Sequence, residues 1–144
     1  MSAPARETIT AIEPYVASPS GWREAGFQIT TTEQTITLAI DDESSCCESW
    51  GYFLTEDDTA KFVGAGLRGV SITDTNRSGW KFVGSYHEWD EARGDVLLDA
   101  GDVMFVDIET DRGVLQFVAY NAHNGYYGHD ARVSSRQLTH EVTL

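Results

Sequence analysis

Two apolar runs, Val103-Met104-Phe105-Val106-Asp107-Ile108-Glu109 and Val114-Leu115-Gln116-Phe117-Val118-Ala119-Tyr120, flank the turn sequence Thr110-Asp111-Arg112-Gly113. No other stretch limits the fold as strongly. Period-two alternation places Met104, Val106 and Ile108 on one face of the first strand, and Leu115, Phe117 and Ala119 on one face of the second. Such a hairpin has to lie against a core. Phe105 and Val118 on the opposite face predict that this side is covered as well, by a helix, by the N-terminal segment or by a second subunit.

The remaining segments extend that ladder. Phe27-Gln28-Ile29-Thr30-Thr31 and Thr35-Ile36-Thr37-Leu38-Ala39-Ile40 are rich in Thr and Ile, with Ile36, Leu38 and Ile40 on one face and Glu33-Gln34 as the turn between them. Residues 67–75 and 80–83 read as further strands, and 132–135 and 137–144 can close the sheet. Thr55 to Gly64 carries the punctuation of a short helix over about 56–63: Thr55 as N-cap, acids in the first turn and Gly64 as a stop. Residues 84–102, which include His87 and Trp89, read as a long excursion. All three prolines, Pro4, Pro14 and Pro19, fall within 2–22, so the first 26 residues are expected as an arm in which Tyr15 and Trp22 can dock. The expected fold is α+β and β-rich: a single antiparallel sheet of about six to eight strands with one short helix, in one domain over 27–144. A length of 144 residues suits one core.

Charge narrows the partners. With 23 acidic and 10 basic residues the chain carries a net charge of −13, so its average surface repels nucleic acid and anionic membrane. Solubility explains such acidity; an array of carboxylates that imitates a phosphate backbone is the sharper reading. The two cysteines, Cys46 and Cys47, are adjacent, which makes a disulfide between them strained and favours a reducing compartment. The first residues show no basic-then-apolar leader pattern, and no apolar run is long enough to span a bilayer. A cytoplasmic location is expected.

Two stretches can carry chemistry. Asn121-Ala122-His123-Asn124-Gly125-Tyr126-Tyr127-Gly128-His129 gathers two imidazoles, two tyrosines, two glycines and two side-chain amides within nine residues. A Gly-permitted turn with tyrosines packed over the sheet edge explains part of this pattern. As a recognition loop, Tyr126 and Tyr127 would stack on a base or sugar, Asn121 and Asn124 would read edges beside His123 and His129, and Arg132 would supply a cation. The other stretch runs from Asp41 through Cys46-Cys47 to Gly51. Buried structural cysteines are its plainest reading. Adjacent cysteines lack the spacing of a zinc pair, even with His123 and His129 in reach, and nothing local lowers a thiol pKa for nucleophilic work. No Ser-His-Asp order, phosphate-binding Gly-Lys-Ser/Thr motif or metal signature is present, so no catalytic residue, metal or cofactor is expected.

Cys46-Cys47-Glu48-Ser49-Trp50-Gly51, the acidic segment ending at Phe62-Val63-Gly64, and Glu109 to Gly128 with its Asn-Gly-Tyr-Tyr-Gly resemble a family of small proteins found largely in phage genomes. The resemblance covers residues 27 to about 136. The paired Cys-Cys-Glu followed by a late Asn-Gly-Tyr-Tyr also looks like the phage Thoeris anti-defence proteins, sponges that sequester a cyclic ADP-ribose signal without cleaving it. That resemblance implies a β-rich homo-oligomer in the host cytoplasm, binding a small nucleotide-derived ligand with arginine and aromatic groups in pockets between subunits. An acidic inhibitor of a host defence protein complex, such as an anti-CRISPR, is the alternative, and a zinc- or thiol-dependent enzyme a second one.

Overall fold

The computed structural model describes residues 6–19, 21–42, 50–78, 81–83, 95–97, 102–121 and 129–144. Among them the chain forms strands β1 (Ile9–Ala17), β2 (Glu24–Thr31), β3 (Thr35–Asp41), β4 (Trp50–Leu54), β5 (Leu67–Thr73), β6 (Lys81–Val83), β7 (Asp95–Leu97), β8 (Asp102–Thr110), β9 (Gly113–Asn121), β10 (Asp130–Ser134) and β11 (Thr139–Thr143). Two antiparallel sheets result, one of five strands in the order β1-β2-β3-β10-β11 and one of four in the order β4-β9-β8-β5. Strands β6 and β7 pair separately and parallel.

The single sheet with one short helix is thereby corrected on both counts. Each predicted hairpin presents one apolar face, and the two faces bury each other instead of extending one ladder. Ile29, Ile36, Leu38, Ile40 and Val133 of the five-stranded sheet share one core with Met104, Val106, Ile108, Leu115 and Phe117 of the other. Phe27 joins them edge-on, its ring centroid 5.8 Å from Tyr52 and 6.3 Å from Phe117. The helix expected over 56–63 is a single 3-10 turn, Thr59–Phe62, without a side-chain cap. Its intended cap is taken by the sheet: Thr55 donates its N–H to the Gln116 carbonyl at 2.9 Å, and its hydroxyl accepts the Gln116 N–H at 3.0 Å. With Thr55 held as a strand end and no side chain capping the segment, so short a helix is marginal, and the chain makes one 3-10 turn before Gly64, at φ 92°, turns it.

β8 and β9 form the centre of the four-stranded sheet and close through Asp111-Arg112. Gly113 takes φ 114° there, and the Thr110 hydroxyl donates to the Gly113 carbonyl at 2.6 Å. Phe105 and Val118, on the outward face, are buried within one chain, so this face does not require a second copy. Part of the cover is the segment after β5: the Gln116 side chain accepts the Arg77 N–H at 3.0 Å and donates to the Thr75 carbonyl at 2.8 Å.

The stretch expected as an arm contains the first strand of the five-stranded sheet. β1 pairs along its length with β2, and Ile9 is fully buried in the shared core. Pro14 is tolerated because β1 is an edge strand.

Candidate functional site

The chain crosses between sheets twice at one end of the sandwich. It leaves β3 for β4 between Asp42 and Trp50, and returns from β9 to β10 between Asn121 and His129. Cys46, Cys47 and Glu48, and His123, Asn124, Tyr126 and Tyr127, fall in these connections and lie outside the described residues. The residues that flank the connections meet. Trp50 is the register partner of Asn121. His129 stacks on Trp50 with centroids 5.2 Å apart, and its Nδ1 lies 2.8 Å from the Asp41 carbonyl oxygen. The two motif-bearing stretches are therefore anchored side by side, although His129 and Asp41 stand 88 positions apart in the sequence.

Beside these anchors a cleft of about 590 Å³ opens, bordered by Trp22, Arg23, Glu24, Asp41, Asp130, Arg132 and Glu141 with Pro19 at its edge. Register explains its shape. Tyr15, Gly26, Ala39, Arg132 and Glu141 are successive partners across the five-stranded sheet, on the face turned away from the core. The two small residues in the middle of this row leave a trough, and Tyr15 and Arg132 lean across it to meet Glu24. Gly26 also lets two backbones approach closely, since a Cβ there would stand 1.8 Å from the Leu38 carbonyl oxygen.

Glu24 is the hub of the trough. It accepts from Arg132 Nε at 2.9 and 3.1 Å, pairs with Arg132 Nη2, and accepts the Tyr15 hydroxyl at 2.9 Å. Burial pushes its carboxyl upward, but the hydrogen bonds from Arg132 and Tyr15 and the guanidinium charge outweigh this and hold it below the usual glutamate range. The hydrogen bonds that Arg132 donates to Glu24 raise Arg132 above its ordinary value against the effect of burial. Burial, with Glu24 beside it, raises Tyr15.

Of the predicted ligand residues, the structure brings Asn121, His129 and Arg132 to the same end of the sandwich, but only Arg132 reaches the cleft. His129 and Asn121 are fully buried. Asn121 Nδ2 donates to the Leu144 carbonyl at 3.1 Å, and the His129 and Leu144 backbones exchange hydrogen bonds of 3.2 and 2.8 Å. Both residues hold the strand ends that flank the motif. Arg132 is ion-paired, and so are Arg6, Arg23, Lys61, Arg77 and Arg136, while Arg112 donates to the Lys61 and Val63 carbonyls. The molecule's cations are largely engaged by its own carboxylates and carbonyls.

Sequence reasoning singled out Asp41 only as the start of the Cys46-Cys47 stretch and missed Glu24, Asp130 and Glu141, because a carboxylate in a strand carries no local sign of which residue faces it two strands away. Tyr15 and Trp22 stood out as aromatic residues of the N-terminal stretch. A period-two reading of 9–17 in spite of Pro14 would have placed Tyr15 in a strand.

No helix among the described residues is long and apolar enough to cross a membrane. No curated protein and no solved structure matches the chain. A family model, the domain of unknown function DUF7448, matches residues 6–133. This span takes in the four-stranded sheet, β1 to β3, β10 as far as Val133 and both motif-bearing connections, and leaves β11 with Glu141 outside it; on that match the chain belongs to the DUF7448 family.

Proposed function

We propose that this is a non-enzymatic, phage-type anti-defence protein that sequesters a small, cyclic nucleotide-like immune signal in the cleft on the outer face of the five-stranded sheet. The observation that carries the reading is the composition of that cleft. The Trp22 indole is 65% exposed at its rim, two guanidinium groups line it, and four carboxylates face them. An indole face stacks on a base, carboxylates accept ribose hydroxyls, and guanidinium edges hold phosphate oxygens. A volume of about 590 Å³ lies in the range of small-ligand sites.

Arg132 fits the phosphate role in a restricted way. Its Nε and Nη2 edge is turned to Glu24, and Nη1 makes no hydrogen bond among the described residues. One edge is thus held in place while the other remains for a ligand. The resemblance of the Cys-Cys-Glu and Asn-Gly-Tyr-Tyr stretches to the Thoeris anti-defence sponges supports the same reading, since both are anchored beside the cleft. A host-cytoplasmic location and assembly into a homo-oligomer belong to this proposal.

One observation favours the alternative, an acidic inhibitor that binds a host defence protein. Carboxylates outnumber guanidinium groups two to one in the cleft, and a purely phosphate-seeking site would reverse that ratio. Exposure of the purified protein to infected-cell lysate, followed by mass spectrometry of what heat denaturation releases, separates the two. Release of an intact nucleotide-derived molecule supports the sponge. Co-purification of a stoichiometric protein with no small molecule supports the inhibitor.

A further inference from the structure

Among the described residues the two sheets leave four edge strands, β1 and β11 in one and β4 and β5 in the other. Edge strands present unpaired N–H and C=O groups, and natural sheets protect them with proline, bulges or charge. β1 carries Pro14 and a register irregularity between Ile9 and Ala11. β5 has an irregularity between Leu67 and Gly69, with Arg68 within it. β11 carries His140 and Glu141, both exposed. β4, with the sequence Trp50-Gly51-Tyr52-Phe53-Leu54, has no proline, no charge and an unbroken register with β9.

β4 is also where the sandwich is open at its side. Between it and β1 runs a groove of about 320 Å³, floored by Ile12, Phe27, Tyr52 and Leu54 and bordered by Glu56 and Asp57. Its backbone geometry suits an incoming strand. Thr55 donates its N–H to Gln116 across the ladder, and antiparallel pairing alternates direction residue by residue. The N–H groups of Tyr52 and Leu54 therefore point away from β9, along the open edge.

We propose that β4 accepts an extended basic segment of a partner protein, which adds to the four-stranded sheet as a fifth strand and places alternate apolar side chains in the groove. Backbone pairing supplies the register and the apolar floor holds every second side chain. Charge selects the occupant. Glu56, which pairs with Lys61, and exposed Asp57 stand at one end of the groove, so lysine or arginine on the incoming strand meets negative charge there. A second copy of this chain would instead bring a further net charge of −13 to the same rim. This surface is separate from the cleft at Arg132 and does not depend on the ligand proposed there.

The probe is acetyl-Lys-Val-Lys-Phe-Lys-Val-amide, titrated into the full chain by calorimetry and by amide NMR. Its controls are the same peptide with glutamate at each lysine and a version N-methylated on alternate residues. The expected result is binding of the lysine peptide, with amide exchange slowed at Tyr52 and Leu54, and no binding of either control. Glu56→Gln with Asp57→Asn should weaken the lysine peptide roughly two- to tenfold at low salt, from two surface charge contacts, with the circular dichroism spectrum unchanged. Equal binding of the lysine and glutamate peptides overturns the proposal, as does retention of binding after N-methylation. Binding of none of them, or a β4-mediated dimer that the lysine peptide does not displace, overturns it equally.

Discussion

Gln116 and Asp107 face one another across the central ladder on the side turned away from the core, and Gln116 Nε2 donates to Asp107 Oδ1 at 2.8 Å. Both are buried, although the face that carries them would ordinarily meet solvent. The pair fastens the segment after β5: Arg77 Nε donates to Asp107 Oδ2 at 2.9 Å, and the Arg77 N–H and the Thr75 carbonyl both bond Gln116. Every hydrogen-bonding atom of the Gln116 side chain is used. Buried polar groups of this kind stabilise only when all partners are present.

Gln116→Leu keeps the approximate volume and removes three hydrogen bonds at once, leaving the Arg77 N–H, the Thr75 carbonyl and Asp107 without their partner. The expected loss is about 2–4 kcal/mol in denaturant melts, mostly from the desolvated groups left behind. Hydrogen exchange at Arg77 should accelerate well beyond that of the core amides. A loss under about 0.5 kcal/mol would mean that water already shares these bonds.

Gly26→Ala tests the trough. A methyl group there would meet backbone, not a movable side chain, so β2 and β3 must separate. The expected effect is a loss of about 1–3 kcal/mol or more and a weakened Arg132–Glu24 pair, visible as a changed Arg132 Nε proton signal. A melting temperature equal to that of the parent protein would show that the strands have room to spare.

Glu24 and Glu7 give the acid limb of stability its sign. At Glu7 burial raises the carboxyl, but hydrogen bonds from Thr31, Gln34 and Gln137 and the Arg136 charge bring it below its ordinary value, as Arg132 and Tyr15 do for Glu24. A folded value below the unfolded one means that the unfolded chain binds more protons in that window. The resulting stability is fully present above the ordinary glutamate value of 4.5 and is lost as pH falls through the folded values. Glu24→Gln removes one of these groups. The stability gap between the parent protein and this variant should therefore shrink as pH drops from 7 through 4.5 and below. A gap that stays constant to pH 3 would assign no linkage to Glu24.

The hairpin from Val103 to Tyr120 was legible because its alternation is a local property, set by the period of a strand. The division into two sheets was not legible, because the faces of Ile36, Leu38 and Ile40 and of Leu115 and Phe117 look alike whether they line one sheet or oppose each other across two. Thr55 carried a helix-cap signal, and the same hydroxyl and N–H serve the Gln116 backbone instead. Arg132 was found by proximity to the motif, whereas Glu24 sits 108 positions away and reaches it only through register. His129 stood out as a polar ligand residue because sequence does not reveal that Trp50 would cover its ring.

The proposed sponge role is tested most directly by calorimetric titration of cyclic ADP-ribose isomers and cyclic dinucleotides into the parent protein, Arg132→Ala and Trp22→Ala, with recovery of the ligand afterwards. The expected result is saturable binding of at least one of these ligands, its return chemically intact, and a weakening of roughly one to two decades in Arg132→Ala, the size of a lost charge-assisted contact. Trp22→Ala should weaken binding by about tenfold through lost stacking, with both variants folded. Binding of none of the ligands, breakdown of the bound one, or parent-like affinity in both variants would contradict it.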